Sequence, residues 1–138
     1  MVIFSIPGEP VGKARARTVR NGSKSISYTP EKTKEYERLV RFCYMKARGK
    51  YFEDKPIRAI ITAYYHIPKS DSKKQRELKL QDEVLPCIKP DCDNIAKIIL
   101  DALNGLAYVD DKQIVSLTVT KQYAETPEVV VVLEVCDG

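Results

Sequence analysis

The segment from Asp91 to Leu106 places polar and apolar side chains on opposite faces of a helix. At about 100° per residue, one face carries a polar column and the other an apolar stripe. The column is Asp93, Lys97, Asp101 and Asn104, and the stripe is Ile95, Ile98, Ile99, Ala102, Leu103 and Leu106. Pro90 is tolerated only at a helix entrance, and Gly105 is a typical stop signal. The pattern therefore predicts a helix that begins at Asp91 or Cys92 and packs one face against a core.

Acidic residues crowd around this helix in a chain that is otherwise basic. Five carboxylates fall within 21 residues: Asp91, Asp93, Asp101, Asp110 and Asp111. Like charges at close range are unfavourable unless a cation lies between them, and Mg²⁺ prefers carboxylate and phosphate oxygens. Taken singly, each aspartate could be a helix cap or a turn residue. Together, and with Lys97 on the same face, they predict a divalent-metal site for phosphate chemistry.

The same positions resemble the signature of a known family. The matching runs are Lys89-Pro90-Asp91-x-Asp93-Asn94-Ile95-x-Lys97, Leu100-Asp101-Ala102-Leu103-Asn104-Gly105 and Asp110-Asp111-x-Gln113-Ile114. They are similar to the RusA family of crossover-junction endodeoxyribonucleases, which are small, dimeric, Mg²⁺-dependent enzymes that resolve Holliday junctions. A looser similarity covers Gly8-x-Pro10-x-Gly12-Lys13-x-Arg15-x-Arg17 and Tyr28-x-Pro30.

The resemblance implies roles for individual residues and a cofactor. It assigns the metal to Asp91, Asp93 and one of the adjacent pair Asp110 and Asp111, of which Asp111 is the better match. It assigns catalysis to these aspartates and to Lys97, with Mg²⁺ as the cofactor and Mn²⁺ able to substitute. Lys97 would stabilise the scissile phosphate, and its alternative role is a salt bridge to Asp93 or Asp101 one turn away. We expect Asn94 and Asp101 to orient the metal ligands.

The two parts of the chain carry opposite net charges. The first 50 residues contain 12 Lys and Arg against four Asp and Glu, whereas the rest contains 11 against 15. A basic segment can bind DNA phosphates by releasing counterions, while the acidic part would hold the metal. In an extended segment, Lys13, Arg15 and Arg17 fall on one face. We predict that these three residues, together with Lys89, contact the DNA backbone.

The other sequence patterns predict a single α+β domain over residues 1–138. The expected strands are Val2–Pro7, a hairpin over 17–28, Ile57–His66, 113–123 and Glu128–Val135, and a first helix follows Thr29 as N-cap and Pro30 as N1. Asn21-Gly22 is a typical two-residue hairpin turn. We expect one mixed sheet with two main helices packed on it, as in the RusA family. Residues 67–90 are predicted as either a short helix over 72–80 or a mobile loop.

Composition predicts a cytoplasmic protein that does not enter a membrane. No apolar run approaches 18 residues, and the first residues have the pattern of a strand rather than a signal peptide. The four cysteines contain no CxxC pair, and with a single histidine they make a poor zinc site. Reduced thiols are therefore expected.

The predicted function is Mg²⁺-dependent, structure-specific cleavage of four-way DNA junctions by paired phosphodiester hydrolysis. Two alternatives remain: a junction-binding protein that does not cleave, and a metal-dependent phosphatase acting on a small phosphate ester. Each chain carries one acidic constellation, whereas resolving a junction takes two symmetric cuts, so a homodimer is predicted. Leu100 lies towards the polar face of the motif helix, where it is either a single exposed leucine or is covered at the contact between the two chains.

Overall fold

The elements alternate between strands and helices along the chain. The computed structural model describes residues 1–14, 17–28 and 30–137, with the backbone alone at positions 17, 21 and 28. In order, the elements are β1 (Val2–Pro7), β2 (Arg17–Asn21), β3 (Lys24–Tyr28), α1 (Glu31–Lys46), β4 (Ile57–His66), α2 (Lys73–Leu80), α3 (Cys92–Ala102), a 3₁₀ turn (Asp111–Gln113), β5 (Ile114–Ala124) and β6 (Glu128–Val135).

Four strands form one mixed sheet in the order β1-β6-β4-β5. β4 and β5 are parallel, and α3 lies in the crossover between them, as parallel pairing requires. β6 is antiparallel to both β1 and β4. β2 and β3 form a separate hairpin. The expected α+β class with a mixed sheet is confirmed, and α2 is a third, shorter helix beside the two main ones.

The core lies between one face of the sheet and the two longer helices. β4 alternates strictly, and its buried side chains are Ile57, Ala59, Ile61, Ala63 and Tyr65. α3 contributes the apolar stripe that its sequence predicts, although Leu106 is only partly buried. No helix in the described ranges is long and apolar enough to cross a membrane.

Leu100 is also part of this core. Its side chain is 6% exposed within the single chain. The chain that follows α3 folds back onto this part of the helix, because the Tyr108 hydroxyl donates to the Leu100 carbonyl oxygen at 2.6 Å. The expectation that Leu100 lies at a contact between two chains is therefore wrong.

The hairpin turn differs from the expected one by a residue. Asn21 pairs with Lys24 in the ladder, so the two-residue turn is Gly22-Ser23 rather than Asn21-Gly22. Gly22 has φ 67°, a left-handed conformation that glycine adopts without steric cost. Placing glycine first in the turn satisfies the geometry and leaves Asn21 in the strand.

Several boundaries also shift from their predicted places. Pro30 is the N-cap of α1 rather than its first helical residue, and Thr29, the predicted cap, lies outside the described residues. The motif helix ends at Ala102 instead of reaching Gly105. Of the two alternatives for residues 67–90, the helix forms, capped by Ser72, whose hydroxyl accepts from the Gln75 N–H.

The packing of α3 should dominate the stability of the fold. Ile98→Ala removes a fully buried side chain and should lower the free energy of unfolding by about 2–5 kcal/mol, because a cavity remains where the chain cannot collapse. Met45→Ala on α1, where Met45 is 55% exposed, is the matched control and should change it by less than about 0.5 kcal/mol. Denaturant unfolding measures both, and equal effects would contradict this account of the core.

Candidate functional site

The amino-terminal end of α3 presents the carboxylates of Asp91 and Asp93. Asp91 is the N-cap residue, yet its side chain makes no capping hydrogen bond, and Asp93 lies in the first turn. Both are exposed. The Tyr65 hydroxyl donates to the carbonyl oxygen of Pro90 at 2.8 Å, which attaches the residue before Asp91 to β4. Burial raises the pKa of Tyr65 to about 12, with a smaller contribution from nearby groups that include Asp91, so this hydroxyl stays a donor.

A second group of carboxylates lies at the carboxy-terminal end of α3. Asp110 caps the 3₁₀ turn: its side chain accepts from the Lys112 N–H at 3.1 Å, and the Gln113 side chain accepts from the Asp110 N–H at 3.0 Å. Asp111 is held differently, because its N–H donates to the Asn104 Oδ1 at 2.9 Å. The capping box thus commits Asp110 to the turn, while the Asp111 carboxyl takes no part in it.

The Asp111 carboxyl is in an unfavourable position for a negative charge. Its pKa is raised to about 6. Burial is the largest cause, and hydrogen bonds with the carboxyls of Asp110 and Asp101 are the next largest. The pKa of Asp110 is lowered, first by its hydrogen bond with Asp111 and then by the Lys112 N–H. Three carboxyl groups are therefore concentrated here, an arrangement that a cation would stabilise.

Two lysines meet at Asp101, on the polar face of α3. The Nζ atoms of Lys13 and Lys97 each lie 3.6 Å from the Asp101 carboxylate, and Lys13 also lies 3.1 Å from that of Glu37. The salt bridge with Asp101 that was predicted as the alternative role of Lys97 therefore forms. The Lys97 side chain is nonetheless 60% exposed, so its amine remains accessible to a phosphate.

The basic amino-terminal segment crosses directly over the start of α3. The Lys13 N–H donates to the Asn94 carbonyl oxygen at 3.0 Å. A Cβ at Gly12 would lie 2.7 Å from the Pro90 Cβ, so only glycine permits this close approach. The crossing lines an open groove with Lys13, Ala14, Asp93, Asn94 and Lys97, which continues past Lys89 and Asp91.

The predicted metal-binding aspartates occupy opposite ends of α3. Asp93 and Asp101 are eight residues apart, about 12 Å along the axis, and Asp111 is bonded to Asn104, beyond Asp101. The described part of the chain contains no group of three or more His, Cys, Asp or Glu side chains disposed to hold a metal ion. One chain thus brings together Asp91 with Asp93, and Asp111 with Asp101 and Asp110, but not the two sets.

The remaining predicted DNA contacts are only partly described. Lys89 is exposed beside the groove, Arg15 lies outside the described residues, and Arg17 begins β2. The hairpin adds two exposed cations, Arg20 and Lys24, that were not in the predicted set. Both cations flank the glycine-containing turn in the sequence, and this position was the available signal for them.

Other contacts that support the site also escaped sequence reasoning. The Arg41 guanidinium donates to the carbonyl oxygens of Ala102 and Asn104, at 2.8 and 3.3 Å, and so anchors the end of α3 to α1. These residues are more than 60 positions apart in sequence, and no local pattern links them. Asn104, by contrast, stands in the polar column, where its position could have suggested a supporting role.

An α+β fold with carboxylates at both ends of one helix and a lysine-lined groove beside its first half has the features of a nuclease. Comparison with known proteins gives the family: the sequence pattern described as Endodeoxyribonuclease RusA matches residues 7–134. The chain belongs to this family of endodeoxyribonucleases, as its motif predicts. It is also similar to "Uncharacterized protein YqaN" of Bacillus subtilis (strain 168), with 37% identity over 133 residues that cover 94% of this chain and 93% of the relative.

Proposed function

We propose that this protein is a Mg²⁺-dependent endonuclease that resolves four-way DNA junctions by paired phosphodiester hydrolysis. The observation that carries the proposal is the groove along α3, which Asp93 lines together with the exposed Lys97 and which continues past Asp91, a residue that makes no capping hydrogen bond. Membership of an endodeoxyribonuclease family supports DNA as the substrate. An open groove suits a long polyanion, whereas a small phosphate ester is normally bound in an enclosed pocket.

The donor set fits a hard divalent cation. Asp91, Asp93 and Asp111 offer only oxygen ligands, none of them taken up by a capping hydrogen bond from the backbone. Mg²⁺ prefers such ligands, and Mn²⁺ accepts the same set. When bound, the metal supplies activation of a water molecule and neutralisation of the charge on the leaving oxygen.

Residues of the chain itself would bind and orient the phosphodiester. The exposed Lys97 amine can bind the scissile phosphate, and its ion pair with Asp101 holds it on the groove side of α3 before DNA arrives. Asn94, whose carbonyl oxygen holds the Lys13 backbone, keeps the basic segment against the groove. Asp101 pairs with both lysines and contacts Asp111, so it orients groups at both ends of the polar column.

Asp93→Asn should separate cleavage from binding. The amide keeps the shape of the side chain but removes the charge that would hold the metal, so single-turnover cleavage of a labelled four-way junction should fall by more than about 100-fold. Junction affinity without Mg²⁺ should stay within about twofold, because one charge adds little to a polyelectrolyte interface. Asp82→Asn, at an exposed aspartate outside the groove, is the control and should cleave normally. Normal cleavage by Asp93→Asn would refute the assignment.

The hairpin should contribute non-specific contacts with the DNA backbone. Replacing Arg20 and Lys24 by Ala should weaken binding to junction and linear duplex alike, and should reduce the slope of log affinity against log salt by about two units, roughly one per lost contact. We expect the same for Lys13, Arg15, Arg17 and Lys89. Replacing the exposed cations Lys34 and Lys46 of α1 is the control. If the hairpin substitutions left the slope of log affinity against log salt unchanged, the β2–β3 hairpin would be solvated surface that does not contact DNA.

We further propose that the enzyme works as a homodimer and that each metal site draws on both chains. Within one chain, Asp111 contacts Asn104 and Asp101, and Asp101 lies about 12 Å along the α3 axis from Asp93. A two-fold axis places the amino-terminal end of one α3 near the carboxy-terminal end of the other whenever the two helices run antiparallel across it. Two composite sites then arise together, which suits the two symmetric cuts of a junction.

Mixing two inactive variants tests the composite site. In a heterodimer of Asp93→Asn and Asp111→Asn, one site would collect both substitutions and the other would be intact. Nicking of the junction should return, up to about a quarter of wild-type sites after random reassortment. Asp93→Asn mixed with Asp91→Asn is the matched control and should stay inactive, since each site then carries one lesion.

The exchange of chains must be verified independently, by the mass of a dimer that contains one tagged chain. If exchange occurs and the first mixture is as inactive as its components, each site is built within one chain. If either variant is active alone, its aspartate is not an essential ligand.

A further inference from the structure

An open pocket of about 560 Å³ adjoins the α3 groove. Its apolar lining includes Pro10, Val11, Pro30, Tyr65 and Ile88. The pocket and the groove share a wall, which consists of Gly12, Ala14, Lys89 and Pro90. Asp91, one of the proposed metal ligands, follows Pro90 in the chain and lines the groove. The pocket therefore lies next to the place where a DNA strand would be cut.

Hydrogen bonds and close packing fix the walls of this pocket. The Tyr65 hydroxyl donates to the Pro90 carbonyl oxygen at 2.8 Å, and the Lys121 ammonium donates to the carbonyl oxygen of Ile88. Gly12 packs so closely against Pro90 that a Cβ at position 12 would lie 2.7 Å from the Pro90 Cβ. Sites for small ligands are usually preformed in this way, with volumes of about 300–1,000 Å³. The pocket therefore has the size and the fixed walls of a ligand site.

A few polar and charged groups complete the lining of the pocket. The Glu9 carboxylate accepts from the His66 N–H at 3.0 Å and also contacts the His66 ring. Both side chains are accessible, so their remaining polar atoms can bond to a ligand. Lys32 and Lys89 also line the pocket and are exposed. Apolar walls with a few polar groups suit a planar heterocycle, and the two lysines suit a ligand that carries phosphates. A nucleotide has both features.

We propose that this pocket receives one unpaired base from the DNA strand that lies in the α3 groove. The base packs against the aliphatic side chains of Val11 and Ile88, and its polar edge meets Glu9 and His66. A base at the crossover of a four-way junction is the favoured occupant, because unstacking costs least where a base has already lost part of its regular stacking. The proposal rests on the DNA groove of the proposed function and adds a means of distinguishing a junction from a duplex.

Replacing the bases around the crossover with 2-aminopurine, one position at a time, tests the capture of a base. This analogue fluoresces strongly once it leaves the base stack. With metal omitted, so that no strand is cut, binding of the protein should raise the fluorescence by about threefold or more at a position close to the cleaved phosphate. The same positions in a matched linear duplex should show no such increase. A junction in which no position responds would overturn the proposal.

Ile88→Ala tests whether this pocket holds the base. Ile88 is 55% exposed, and its bond to Lys121 uses the backbone carbonyl, so the substitution removes one wall and keeps the fold. Most of the fluorescence increase should be lost, and junction affinity should fall by about fivefold or more, while duplex affinity stays within about twofold. Leu85→Ala, at a 51% exposed position in the same segment, is the matched control and should change neither. A full increase with Ile88→Ala, or an equal loss with Leu85→Ala, would refute the pocket.

These measurements separate the pocket from the nuclease activity. The fluorescence reports on DNA that is bound without metal, so it does not depend on cleavage. If the protein cleaved junctions with Mg²⁺ although every crossover base stayed stacked, the pocket would be refuted and the proposed function would stand. If a base were captured and no DNA were cut with Mg²⁺, the proposed function would fail and the pocket would stand.

Discussion

The site depends on burial of the apolar face of α3 against the centre of the sheet. Ile95, Ile98 and Ile99 are fully buried, and about 25 cal/mol per Å² of buried apolar surface holds them there. Because that face is fixed, the opposite face must carry every polar group of the column into solvent. The helical geometry sets Asp93, Lys97 and Asp101 about one turn apart along α3. It also keeps the acidic groups at the two ends of the helix separate.

Electrostatic interactions then determine which charged groups of the polar column pair with one another. Asp101 receives both Lys13 and Lys97, which balances the negative charge of that carboxylate. Asp111, close to two other carboxyls, has its pKa raised to about 6, chiefly by burial. The lysines thus pair with Asp101, whereas the ion pairs of the described residues include none with Asp91, Asp93 or Asp111. Such carboxylates are typical of proteins that bind their cation together with a substrate phosphate.

Much of the fold could be predicted from periodicity, because strands and helices report which face is buried. β4 and β6 have their predicted boundaries, and the stripe of α3 is buried as its spacing indicates. The sequence pattern was less informative about which aspartates come together. Residues on one face of a helix can lie far apart along its axis, and the aspartates that were predicted to form one site lie towards opposite ends of α3. Gly12 and Arg41 could not be anticipated, since their contacts with α3 join distant parts of the sequence.

The adjacent aspartates before β5 show how loop length can decide chemistry. The capping box takes the first of the pair, Asp110, into the backbone of the turn and leaves the second available. Adding or removing one residue between α3 and this turn would move the neighbouring residue of the pair into the N-cap position. The aspartate that caps the turn and the aspartate whose carboxylate is available would then be exchanged. Relatives with loops of different length need not use the same member of such a pair, and alignment by residue type alone would not reveal the exchange.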